Sequence, residues 1–302
     1  MKIDNAHLAA FAAALSEGTF ELAARKLNVT PSAISQRIKL LEERIGQILI
    51  QRTKPCQVTE AGRPLLRYAE ELALLESEVL SELGVGDTGT GSTFRVPIVV
   101  NADSLDSWFP AVFTALTEVT GITLDIRSED QDHSVALLRE GTVMAAVSAN
   151  SDPIQGCRVE LLGAMRFLAL ASPSYVKHYF ASGVTAETLA QAPHMMFNKK
   201  DALQQVFMSR FTDAAIEPPR HYAPSTGSFG EAIRRGLGWG MIPEQLAESG
   251  LRSGQLVQIA SGHWLDIPLF WHRLRMGSAA LETVSKFVRQ AARSALRQSA
   301  DR

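Results

Sequence analysis

The stretch Thr19-Phe-Glu-Leu-Ala-Ala-Arg-Lys-Leu-Asn-Val-Thr-Pro-Ser-Ala-Ile-Ser-Gln-Arg-Ile-Lys-Leu-Leu-Glu42 reads as two helices joined by a tight turn. The first puts Leu22, Ala23 and Leu27 on one apolar side, and Asn28-Val29-Thr30 makes the turn, with Val29 as its buried plug. Thr30 or Ser32 caps the second helix, and Pro31 sits in its first turn, where a missing N–H costs nothing. Ile34, Ile38, Leu41 and Ile45 recur at intervals of 4, 3 and 4 and therefore share one buried face. The other face carries Ser32, Ser35, Gln36, Arg37 and Lys39. Hydroxyl, amide and guanidinium groups along one helix match base edges and phosphates in a major groove. The reading is a DNA-reading head, and an ordinary helical hairpin with a solvated polar face is the alternative.

The residues after this helix pair favour the DNA-reading head. Ile48-Leu49-Ile50 and Gln57-Val58-Thr59 read as short strands around Arg52-Thr53-Lys54-Pro55. That is a wing with two cations, Arg52 and Lys54, at its tip. Thr59 then caps a helix starting at Glu60-Ala61-Gly62 and running to Gly84. Its stripe of Leu65, Ala69, Leu72, Leu75, Val79 and Leu83 needs a partner. A second copy of itself is the simplest one, with packing on its own domain as the alternative. Gly84–Thr93, rich in glycine and small polar residues, reads as a hinge.

Composition sets the bounds. A chain of 302 residues is long enough for two or three domains with their own cores. No run approaches the roughly 20 apolar residues a membrane helix needs. Asp4 and His7 interrupt any signal-peptide layout, so the expected compartment is the cytoplasm. Cys56 and Cys157 fall in different expected domains, so neither a disulfide nor a metal site is expected. On the wing, Cys56 reads as a passive small residue, with redox sensing as the rarer option. Residues 1–67 hold 10 Lys and Arg against 6 Asp and Glu, while the rest holds 20 against 26. A basic head on an acidic body suits a protein that touches DNA at one end.

Beyond the hinge, strands alternate with helices. Strands are expected at Arg95–Val100, Ile122–Arg127 and Met144–Ser148, with helices near Ser107–Val119 and Ser134–Glu140. A second set comes next. Its strands are Phe167–Ala171, Met195–Phe197, His221–Pro224, Trp239–Ile242 and Ile267–His272, and its helices Pro173–Phe180, Leu203–Phe211, Phe229–Arg235 and Ala279–Leu296. The alternation predicts a parallel α/β sheet. Such sheets bind ligands at the carboxyl ends of their strands. The first such end, with Asn101, Asp103 and Ser104, suits a carboxylate through free N–H groups and a hydroxyl. The second leads into Glu129-Asp130-Gln131-Asp132-His133, where Asp130, Asp132 and His133 either hold a cation or form a solvated acidic loop. Ser148, Asn198, Asp201, Thr226 and Ser228 are further candidates.

These pieces together resemble a known family. Phe11, Gly18-Thr19-Phe20, Ala23-Ala24, Leu27, Pro31-Ser32-Ala33-Ile34-Ser35, Ile38, Leu41-Glu42, Gly46, Leu49, Arg52 and Thr59-Glu60-Ala61-Gly62 resemble the winged helix-turn-helix of LysR-type transcriptional regulators. The wider family often has Arg directly after the serine of the second helix, whereas here Gln36 precedes Arg37. That order is similar to the branch that controls lysine and arginine export. So are Asn101–Trp108, Glu129–Ser134, Leu138–Met144, Phe197–Leu203 and Gly236–Gly240.

The resemblance implies a winged helix-turn-helix domain at 1–59, a linker helix and hinge at 60–93 for dimerisation, and an effector domain at 94–302. The last would have the two-lobed periplasmic-binding-protein-like fold, with lobes at about 94–165 plus 267–302 and about 166–266. The implied function is transcription regulation of an amino-acid exporter gene, set by lysine or arginine. The implied partners are double-stranded DNA at a pseudo-palindromic promoter site, the effector, a second or fourth copy of the chain, and RNA polymerase. No cofactor is implied. Thr30, Pro31, Ser32, Ser35, Gln36 and Arg37 would sit at the groove, with Lys39, Arg52 and Lys54 nearby. A different small effector stays open. Catalysis is not expected, because no nucleophile elbow, phosphate loop or metal spacing is present. A DNA-bending or replication-control protein is the other alternative, although it would need no effector domain and this chain spends two thirds of its length on one.

Overall fold

The computed structural model describes residues 3–83, 93–128, 136–139 and 142–298. The hinge at 84–92 and the candidates Asp130, Asp132 and His133 therefore lie outside the described residues.

The head consists of α1 (Asn5–Glu17), α2 (Phe20–Lys26) and α3 (Pro31–Ile45), followed by the wing strands β1 (Ile50–Gln51) and β2 (Gln57–Val58). Each helix starts at a side-chain cap. Asp4 accepts from the N–H of Ala6, Thr19 from that of Leu22, and Thr30 from that of Ala33. Asn28 takes a positive φ of 53°, and this turns the chain between α2 and α3. Phe11, Ala14, Ala23, Ala24, Ile34, Ile38 and Leu41 fill the core, as their spacing requires. Two expectations fail here. Leu22 is exposed and Ala24 takes the inward place, because a seven-residue helix buries only the side against α1 and α3. Ile45 and Val29 are half-buried at the margin. Glu42 joins head to wing by accepting the N–H groups of Leu49 and Ile50 at 2.9 and 3.3 Å.

The linker helix α4 (Arg63–Glu82) starts three residues later than expected. Thr59 Oγ1 donates to Ile48 O at 2.7 Å and accepts from Gly62 N at 3.1 Å, which holds residues 60–62 in a turn. Gly62 lies against the carbonyl of Leu49 too closely for any Cβ. The stripe on α4 divides. Leu65, Leu66 and Ala69 pack into the head, and Leu74 joins the core of the body. Tyr68, Leu75, Val79, Leu80 and Leu83 stay exposed, Leu83 at 67%.

The body contains β3 (Phe94–Val100), α5 (Ala102–Ser107), α6 (Pro110–Leu116), β4 (Ile122–Ser128), β5 (Ala145–Ser148) and β6 (Cys157–Ala171). Then come α7 (Pro173–Tyr179), α8 (Ala186–Gln191), β7 (His194–Met196), α9 (Leu203–Met208), β8 (Arg220–Tyr222) and α10 (Thr226–Arg234). Last are β9 (Gly240–Pro243), α11 (Glu244–Arg252), β10 (Val257–Gln258), β11 (Trp264–Leu274) and α12 (Ala279–Ala295). The helix expected near Ser107–Val119 is α6, which Pro110 opens, and the shorter α5 precedes it. The helices α8 and α11 were not expected.

The main sheet corrects the parallel expectation. Its order is β10-β6-β11-β5-β3-β4, with β9 also on β6. Only β3–β4 and β3–β5 are parallel there, and β6 pairs antiparallel with β11, β9 and β10. The small sheet β7–β8 is parallel. The cause is the length of β6 and β11, which pair from Trp264↔Leu168 to Leu274↔Cys157 and so belong to both ends of the body. Midway, Gly163 adopts φ 133°, and the register slips between Leu269 and Phe270.

Glu70 lies where α4 meets the body, within electrostatic reach of Arg127, Arg95 and Asp125. Burial pushes its carboxyl up to about 8, and its Oε2 finds no hydrogen-bond partner among the described residues. The folded state therefore binds this proton more tightly than the unfolded chain, and stability is lost as pH rises from about 4.5 to about 8. Glu70→Gln should raise the unfolding temperature at pH 9 and leave it unchanged at about pH 4. A variant no more stable at pH 9 would show that the carboxyl is hydrated there.

Candidate nucleic-acid interface and ligand cleft

The outward face of α3 follows from its buried one. Ser32, Gln36 and Lys39 stand at helical spacing opposite Ile34, Ile38 and Leu41 and form one exposed stripe, with Ser35 half-buried on its edge. Thr30 and Pro31 are exposed at its start, where the Thr30 and Ser32 hydroxyls lie 2.9 Å apart. Arg37 falls on the flank of the helix and is half-buried, apart from the stripe. Lys39 pairs with Glu43 at 3.6 Å. On the wing, Arg52 and Lys54 are exposed, and the Arg52 guanidinium lies 5.4 Å from the Phe20 ring centre. That stacking fixes the direction of a cation next to the reading helix. Cys56 is half-buried, and burial followed by the charge of Glu21 raises its thiol above the ordinary value. Sensor thiols are thiolates, so the passive reading fits.

In the body, a cleft of about 970 Å³ opens beyond the carboxyl end of β3. Asn101, Asp103 and Asp106 line one wall and Asn198, Asp201 and Thr226 the other, over an apolar lining that includes Phe197, Phe229, Met241 and Ile267. Of the expected residues, the structure thus brings Asn101, Asp103, Asn198, Asp201 and Thr226 to one cavity. Three others lie off its surface. Ser104 is fully buried behind the wall, Ser148 is buried and accepts from Asn150 N, and Ser228 is exposed past the cap that Ser225 provides. Sequence reasoning missed Asp106. Its signal was the interval of three from Asp103, which puts both on one side of α5.

The cleft chemistry is uneven. Asp201 is held in place, because its two carboxylate oxygens accept the N–H groups of Phe197 and Leu203 at 2.9 and 3.1 Å. Burial, then the charges of Asp201 and Asp106, push the Asp103 carboxyl up to about 7. Asn101 Oδ1, Ser104 Oγ and Thr226 Oγ1 are buried without a hydrogen-bond partner among the described residues. Buried polar atoms of that kind call for an occupant. Of the glycines of 236–240, Gly236 makes a turn at φ 79°, while Gly238 and Gly240 serve packing: a Cβ on Gly240 would meet Phe229 and Ile233, and one on Gly238 would meet Pro193 and His194.

A reading helix with a wing, joined by a linker helix to a body with a ligand cleft, defines a ligand-responsive DNA-binding regulator. The model of the bacterial regulatory helix-turn-helix protein, lysR family, matches residues 6–63, and that of the LysR substrate binding domain matches 93–293. The chain belongs to the LysR family of transcriptional regulators. It is 47% identical over 291 residues to the HTH-type transcriptional regulator LysG of Mycobacterium tuberculosis (strain ATCC 25618 / H37Rv), covering 96% of this chain and 94% of that one. It is 39% identical over 284 residues to the lysine export transcriptional regulatory protein LysG of Corynebacterium glutamicum, covering 94% and 96%. The structure of full-length LysG from Corynebacterium glutamicum with bound effector Arg superposes with a TM-score of 0.80 at 37% identity, covering 98% of this chain and all of that one.

Contacts to phosphate and to bases separate experimentally. Lys54→Ala should weaken binding to all duplexes alike and lower the salt slope by about one unit. Gln36→Ala should instead reduce discrimination between duplexes by about 1–3 kcal/mol at one base pair. An unchanged slope for the first, or a uniform loss for the second, would remove that residue from its role.

Proposed function

We propose that this regulator takes a basic amino acid, arginine or lysine, into the cleft and controls an exporter gene for that amino acid. The observation that carries the reading is the cleft itself. The carboxyl groups of Asp103 and Asp201 line it, and next to them stand the unpartnered Asn101 Oδ1 and Thr226 Oγ1. Acidic groups suit the cationic end of such a ligand, and neutral polar groups suit its α-amino and α-carboxylate end. A relative supports it: LysG of Corynebacterium glutamicum is called a lysine export regulator and was solved with arginine bound. Asn198 is the remaining contact proposed at the opposite wall.

At the DNA end, Thr30, Pro31, Ser32, Ser35, Gln36 and Lys39 are the proposed groove contacts, with Arg37, Arg52 and Lys54 on the flanking backbone. The exposed Leu75, Val79, Leu80 and Leu83 of α4 favour a homodimer, or a tetramer made of two such dimers, so that two heads meet a roughly palindromic promoter site. The division proposed is a head at 1–59, a linker at 60–93 and an effector domain at 94–302. Within the last, one lobe is 94–165 with 267–302 and the other 166–266. RNA polymerase is the further partner that promoter control requires, and the cytoplasm, where promoter DNA is, is the proposed compartment.

Thermal unfolding against each of the twenty amino acids tests the effector. A ligand that binds only the folded protein adds about 2.7 kcal/mol at a hundredfold excess over its Kd. The expected result is a raised midpoint with arginine or lysine alone. No shift with either would contradict the reading and direct the search to other small metabolites, with the DNA-binding head unaffected.

A further inference from the structure

The cleft gathers like charges where its walls face each other. Asp103 and Asp106 leave one side of α5, and Asp201 enters from the loop after β7; all three line the cleft. Lys200 and Arg234 are the other charged side chains of that lining, and Arg234 already donates to Glu231 at 3.1 Å. Asn101, only 5% exposed, lines the same wall, and its Oδ1 has no hydrogen-bond partner among the described residues. Carboxylates alone would make only an acidic patch. An enclosed, unpartnered acceptor beside them marks a place built for a donor-rich ligand.

We propose that Asp106 completes, with Asp103 and Asp201, a cation clamp spanning both walls, which selects the effector by the charge of its side chain. The proposal rests on the basic-amino-acid reading of the cleft and adds to it a selecting residue and a mechanism. Without a ligand, the negative charges of Asp106 and Asp201 face each other across the gap and favour the protonated form of Asp103. An ammonium or guanidinium group between them turns that repulsion into attraction, so that closing the walls becomes favourable only with the cation present. Asp103, raised to about 7 in the ligand-free protein, is largely protonated at pH 6.5. It ionises against the arriving cation, and its proton leaves to solvent. A guanidinium has five donors in a plane and can engage several carboxylates at once, whereas an ammonium has three.

Isothermal titration of the full-length protein at pH 6.5, in two buffers of different ionisation enthalpy, tests this with L-arginine, L-lysine and L-citrulline, the neutral isostere of arginine. Arginine should bind with net release of protons, because its charge favours the ionised form of a carboxyl that burial holds raised. Citrulline should bind at least about tenfold more weakly than arginine. Asp103→Asn should abolish proton release. Asp106→Asn should lower arginine affinity about tenfold or more, and Asp106→Glu should recover part of it. If Asp106→Asn does not fold, the wild-type proton count and the citrulline ratio decide. Citrulline binding as tightly as arginine would overturn the clamp. So would arginine binding without proton exchange and with full affinity in Asp106→Asn; in that case the basic-amino-acid reading stands. Binding of neither arginine nor lysine would overturn both.

Discussion

Everything beyond the head depends on one pairing, that of the strands Cys157–Ala171 and Trp264–Leu274. Their ladder runs through both ends of the body, so the two walls of the cleft hang on the same backbone hydrogen bonds. The middle of the ladder is specially made. Gly163 takes a φ of 133°, and a Cβ there would press on Leu296 and the carbonyl of Arg297. The chain's last described segment covers the same point, where Ala164 and Arg297 exchange backbone hydrogen bonds of 2.8 and 2.9 Å. Two residues further on, Arg166 grips Asp266 through two 2.8 Å bonds and lies over the Trp264 ring. The two walls of the cleft are thus joined through a strand pair whose register slips beside one glycine and which is held on either side of it by backbone and ion-pair contacts.

Charge is treated differently in the frame and at the working parts. In the frame, Arg273 and Arg289 each meet both Glu160 and Glu282, a closed ring of four ion pairs between strands and the last helix. At the working parts, two carboxyls have no such partners among the described residues. Glu70 stands at the junction of linker helix and body, and Asp103 in the cleft; burial raises both. Uncompensated acids lower the stability of the ligand-free protein, and that free energy is returned when a cation or a proton arrives. One acid lies where the ligand enters and the other where the body meets the helix leading to the DNA-binding head.

The head was legible almost residue by residue. Ile34, Ile38 and Leu41 define one side of a single helix, and its opposite side follows by geometry alone. Only margins misled: Leu22 turns outward, and Arg37 sits on the flank of the stripe. The body was legible in class and blurred in detail. Residues 157–166 were not assigned as strand although Arg158 and Glu160 alternate with Cys157, Val159 and Leu161 at the period of a strand, because Gly163 interrupts the pattern before Phe167. Pairing across about a hundred residues leaves no local trace, and so the antiparallel half of the sheet was missed. The cleft shows the same limit. Asp103 and Asp201 were candidates because they end strands, while Asp106 depends on which side of a short helix faces the cavity, and Ser104 and Ser148 prove to be interior. Helix faces can be read from spacing, but a cavity between distant segments cannot.

In the function proposed, occupancy of the cleft and grip on DNA form one coupled equilibrium. Linkage requires the effect to be reciprocal. The direct measurement is the affinity of the full-length protein for a duplex it has selected from random sequence, with and without saturating arginine, set against its arginine affinity with and without that duplex. The expected result is two ratios that are equal and differ from one. Arginine that binds in the cleft yet leaves DNA affinity unchanged, with the duplex leaving arginine affinity unchanged, would contradict the coupling.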